Sequence, residues 1–100
     1  MNEYQNMNEY QKKFFEHLAQ IQETNVAVCM AQHGCGDAAV ESMLYDVTYN
    51  VITDIMEIID GCSAFSINKL DIVNSVTGEH LKENPCIELH DQTEDFLRYE

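Results

Sequence analysis

The sequence predicts an α+β fold, mostly helical, built from two long antiparallel helices, a small antiparallel β-hairpin and a short C-terminal helix. Three observations predict it. Apolar residues recur at three- and four-residue steps over 9–33 and again over 38–60. Two short strand-like runs, 69–74 and 85–89, flank the turn signal Thr77-Gly78. Asp91 and Glu94 stand at capping-box spacing just ahead of Phe96, Leu97 and Tyr99. With 100 residues, 45% of them hydrophobic, the chain makes one domain with a single core and no room for a large catalytic cleft.

The chain opens on a duplication. Met1-Asn2-Glu3-Tyr4-Gln5 recurs as Met7-Asn8-Glu9-Tyr10-Gln11. A solenoid needs units of about 20 residues or more, so this is a duplicated start and not a repeat architecture. Residues 1–8 are read as a flexible lead and 9–100 as the acidic domain.

The first helix spans about Glu9 to His33, its apolar side formed by Phe14, Phe15, Leu18, Ile21, Val26, Cys29 and Met30. Gly34 suits the left-handed residue that closes such a helix, and Asp37 suits the N-cap of the next. The second helix runs from about Ala38 to Asp60 and stops at Gly61. At 100° per residue, Val40, Leu44, Val47, Val51, Ile55, Ile58 and Ile59 gather on one side, extended by Tyr45, Ile52 and Met56. That arc is wider than one neighbouring helix covers, so it is expected to pack on the first helix and on the β-hairpin. Asp46, Asn50, Thr53, Glu57 and Asp60 form a polar line opposite, with Asp54 at its edge.

Charge narrows the function classes. Eighteen acids against five bases give a formal net charge of −13, and no Lys or Arg occurs from Phe14 to Asn68. Such a chain avoids phosphate backbones and anionic lipid, which excludes direct nucleic-acid and membrane binding, and it attracts basic protein grooves. No stretch approaches the roughly 18 apolar residues of a membrane span and the N-terminus lacks a signal-peptide pattern, so the expected location is cytoplasmic. There the four cysteines, Cys29, Cys35, Cys62 and Cys86, are expected as free thiols.

Three clusters could carry chemistry. Cys29, His33 and Cys35 are good zinc ligands at non-standard spacing, and cysteines of this kind commonly serve as small buried hydrophobes, so no metal or cofactor is assigned. Glu88-Leu89-His90-Asp91 sets a carboxylate beside an imidazole, as acid–base chemistry requires. The plainer reading gives Asp91 to helix capping and His90 to a hydrogen bond. No nucleophile motif or phosphate loop accompanies them, so no catalytic residue is assigned and the chain is read as a non-enzyme.

The third cluster is the acidic line on the second helix. Solvated charge runs are ordinary, but fifty-five residues without a base are not. The expected function is therefore an acidic protein-binding module, a stoichiometric inhibitor that occupies the basic surface of a nuclease or another nucleic-acid enzyme. Its expected contact residues are Asp46, Tyr49, Asn50, Asp54, Glu57 and Asp60, assisted by Glu88, Asp91, Glu94 and Asp95, with Tyr49 as aromatic anchor. The profile is similar to that of nuclease-inhibiting immunity proteins and phage-encoded inhibitors in composition, through no shared motif. The alternative is a structural or regulatory homodimer or larger homo-oligomer, joined through surplus apolar helix surface and enclosing a small ligand between subunits.

Overall fold

A computed structural model describes residues 7–34, 36–82 and 87–99 and contains three helices: α1 (Glu9–Gln32), α2 (Ala38–Asp60) and α3 (Leu89–Phe96). About 62% of the described residues are helical, and no strand or sheet occurs among them. The expected α+β class, with its β-hairpin and pair of long antiparallel helices, is thereby overturned.

Local chemistry sets the ends of the long helices. Asn8 caps α1 in a full capping box: its side chain accepts from the Gln11 N–H at 2.8 Å, and the Gln11 carboxamide accepts from the Asn8 N–H at 3.0 Å. Met7 packs against the core, so two residues of the expected flexible lead take part in the fold, and residues 1–6 lie outside the described part. Asp37 caps α2 by accepting from the Ala39 N–H. Gly61 ends α2 with φ +82°, and a Cβ there would stand 2.7 Å from the Asn68 backbone carbon, so both conformation and close chain passage require glycine.

The run 69–74 does not become a strand, because its Leu70 N–H donates to the Ile59 carbonyl of α2 and its Ile72 N–H to the neighbouring Asp71 side chain. The Asp71 carboxylate accepts from the Ile72 and Lys82 N–H groups, and the Asn74 side chain accepts from those of Val76 and Thr77. The Asp71–Ile72 bond competes with a ladder, and the Asn74 bonds tighten the turn. What remains is one antiparallel bridge, Val73 to His80. Pro85 and Cys86 of the expected second strand lie outside the described residues, and its last residue, Leu89, is the first of α3.

The core is small. Phe15, Met56, Leu81 and Leu89 are buried together, with Tyr10, Phe14, Leu18, Ile59, Ile87 and Phe96 packed around them. Each fully buried side chain of this kind contributes about 1.5–3 kcal/mol. Phe15 stacks on Phe96 with ring centroids 5.4 Å apart, which ties α1 to α3. The most extensive helix packing is between α2 and the short α3, not between α1 and α2. A buried glutamine fastens the other end: the Gln22 carboxamide nitrogen donates to the Tyr45 carbonyl, the Thr48 hydroxyl and the Arg98 carbonyl, while its oxygen accepts from the Arg98 N–H. No helix among the described residues is long and apolar enough to cross a membrane.

Candidate functional site

Helix α2 carries both features that stand out, one on each side. Its packed side presents Tyr45, Thr53, Met56 and Asp60 to the rest of the chain. Thr53 and Thr93 share a hydroxyl hydrogen bond of 2.8 Å, and the Arg98 guanidinium lies 3.9 Å over the Tyr45 ring. Its outward side presents Met43, Val47, Val51 and Ile55, one every fourth residue, at 56, 52, 52 and 47% exposure. The apolar arc expected to enter the core thus faces outward along much of its length. The physical reason is that polar partners choose the packed side: burying the valines would pull Asp60, Thr53 and the Tyr45 carbonyl away from the groups that satisfy them.

Asp60, at the C-terminal end of α2, is 2% exposed and accepts four hydrogen bonds. Lys82 Nζ and the Leu89 N–H donate to Oδ1 at 2.5 and 2.9 Å. The His90 N–H donates to Oδ2 at 2.8 Å, and His90 Nδ1 lies 2.5 Å from the same oxygen. Asp60 thereby caps α3 from another helix, because the α3 N-cap residue Glu88 makes no side-chain cap bond of its own. Burial alone would raise the Asp60 pKa. The His90 N–H, the Lys82 ammonium, the Leu89 N–H and the His90 ring together outweigh burial and hold it below the ordinary 3.8.

The carboxylate is therefore ionised, and His90 Nδ1 carries the proton between them. Burial works against charge on His90, yet its bond to Asp60 and the negative charges of Asp91, Asp60 and Glu57 raise its pKa above 6.5. His90 Nε2 meets Asp91 Oδ1 at 3.3 Å. Beside them Tyr49, His90, Asp91 and Glu94 line an open polar recess of about 280 Å³. Next to His90, Cys62 and Glu88 each bring a donor atom, and one atom from each of the three lies within 4.8 Å of the others. Lys69 pairs with Glu88 Oε1 at 2.9 Å, whereas Glu88 Oε2 is buried with no hydrogen-bond partner among the described residues.

The expected contact residues are dispersed. Asn50 and Asp54 are exposed on α2, and Asp91, Glu94 and Asp95 are exposed on α3. Asp46 and Glu57 are half-buried. Tyr49 is half-buried and packs on Tyr99 with ring centroids 4.5 Å apart. Glu88 is held by Lys69, and Asp60 is interior. The capping box read from Asp91 and Glu94 is absent as such: Asp91 lies within the first turn of α3, and the cap comes from Asp60. Of the three residues weighed as zinc ligands, Cys29 is half-buried and His33 is exposed, and Cys35 lies outside the described residues.

Sequence reasoning had no sign of the roles of Lys82 and Cys62. The adjacency of Glu88 and His90 was visible. Their convergence with Cys62 depends on Gly61 turning the chain out of α2 toward α3, a tertiary event. Comparison with protein-family models, with curated proteins and with solved structures gave no match to this chain.

Proposed function

We propose that this chain is a non-catalytic protein-binding module that lays the outward side of α2 into an apolar groove with a basic rim on a partner protein. The observation that carries the reading is the bare stripe of Met43, Val47, Val51 and Ile55 on a long, capped helix. Anchors one turn apart on a rigid helix are the arrangement that groove-binding helices use. A contiguous exposed patch of this kind marks an interaction surface.

Charge favours a basic partner over a second copy. Two chains of −13 repel one another, and Asp54 would enter the contact without a counter-charge. A groove with a Lys or Arg opposite Asp54 gains from both the apolar stripe and the field of the whole chain. Where that groove ordinarily holds nucleic acid, its occupation is inhibition by occlusion. Asn50 and Asp54 are the polar contacts on this side, and Asp60 has no part in it.

A photo-reactive residue placed at Val51, with a control placed at the exposed Glu16, tests the reading in cells of the source organism. The expected product is a crosslink from position 51 to a protein with a basic surface. That complex is weakened by salt, by Asp54→Lys and by a paired Val47→Gln and Val51→Gln substitution. Crosslinks from position 51 only to copies of this chain would replace this reading with the homo-oligomeric one. Equal crosslinking from both positions would remove both.

A further inference from the structure

We propose that Cys62, Glu88 and His90 form a binding site for a divalent transition metal of the zinc type, independent of the surface on α2. The donor set is mixed thiolate, carboxylate and imidazole, the combination that zinc accepts and calcium or magnesium do not. The three donors come from separate places, the turn after α2, the N-cap of α3 and the first turn of α3. The fold brings them together within 4.8 Å. A tetrahedral ion with bonds of about 2.0–2.3 Å needs ligand atoms roughly 3.3–3.8 Å apart. Side-chain adjustment brings donors at the observed separation to that spacing, and Cys62, exposed beyond the helix end, has the freedom to supply it.

Two further observations point to a ligand. Glu88 Oε2 is buried without a partner among the described residues while Lys69 occupies the other oxygen, so one carboxylate oxygen stands ready for a single bond. His90 Nδ1 is fixed by the buried carboxylate of Asp60, which leaves Nε2 as the coordinating nitrogen. A carboxylate behind the imidazole is the usual support of a histidine ligand, setting its tautomer and ring angle. Coordination releases the thiol proton of Cys62 and, from the imidazolium form of His90, the Nε2 proton, and it replaces the 3.3 Å approach of Asp91 to Nε2. Three protein donors leave a fourth position for water. The bound ion would join the end of α2 to the start of α3, the same junction that Asp60 holds.

The test is titration of chelator-treated, reduced full-length protein with Co²⁺, followed by displacement with Zn²⁺. The expected result is a thiolate-to-cobalt charge-transfer band with the intense visible bands of a four-coordinate ion, bleached by one equivalent of Zn²⁺. Cys62→Ser should abolish the charge-transfer band, and Glu88→Gln should weaken Co²⁺ binding at least tenfold, both with unchanged circular dichroism. Cys29→Ser should leave the spectrum as it is. A band that survives Cys62→Ser, or disappears in Cys29→Ser, would overturn the assignment, as would six-coordinate cobalt spectra throughout.

Discussion

The two sides of α2 depart from the usual rule in opposite directions. One side buries a carboxylate, threonine hydroxyls and backbone carbonyls; the other leaves two valines, an isoleucine and a methionine in water. Both departures have one cause. An apolar face gains a similar transfer free energy from any apolar neighbour, so it demands no particular orientation. Buried polar groups need particular partners at particular distances, and here those partners are within the chain. The polar side therefore decides the orientation of the helix, and the apolar side is left exposed.

The largest effect should come from breaking the polar side. Asp60→Ala leaves Lys82 as an unpaired charge in the interior and uncaps α3, a loss of about 3–5 kcal/mol in urea unfolding. Adding Lys82→Met should recover part of that loss, because it removes the stranded charge. A double variant as unstable as the sum of the two single ones would show that the pair does not act as a unit.

Next is Gly61→Ala, which forces a side chain into left-handed backbone and against Asn68, at a cost of more than about 2 kcal/mol. Gln22→Leu, which strands the Arg98 N–H, should cost about 1–3 kcal/mol and loosen the C-terminus, visible as faster amide exchange at Arg98.

Acidity sharpens the comparison further. The Asp60 pKa is lowered on folding, so its contribution is whole above 3.8 and is lost as pH falls through the lower folded value. The His90 pKa is raised on folding, so its contribution is whole below 6.5 and is lost as pH rises through the higher folded value. With chelator present, thermal stability should peak between these limits. His90→Gln should flatten the decline on the alkaline side. An unchanged alkaline decline in that variant would remove His90 from the account.

How much of this was legible in the sequence differs along the chain. The ends of α2 were, because Asp37 and Gly61 act through local backbone geometry. The start of α1 at Glu9 was legible too, although the capping box of Asn8 and Gln11 that sets it was not read. The face that α2 packs was not. Periodicity reports where apolar residues lie on a helix and assumes that they turn inward. It contains nothing of Gln22 reaching Tyr45 across 23 residues, or of Asp60 capping a helix that begins 29 residues later. The hairpin failed for a similar reason: within the run 69–74, the Leu70 N–H goes to the Ile59 carbonyl of α2 and the Ile72 N–H to the adjacent Asp71 carboxylate, partners that periodicity does not show. At the candidate sites, Glu88 and His90 were visible as neighbours, but Cys62 joins them only through the fold.

If the apolar side of α2 is a surface, polar residues there should have the smallest effect of all. The measurement is the unfolding free energy of a paired Val47→Gln and Val51→Gln variant against the parent chain, at several protein concentrations. The expected difference is within about 0.5 kcal/mol per site, independent of concentration, as for exposed positions. A loss of more than about 2 kcal/mol per site would place these valines in the core and contradict it.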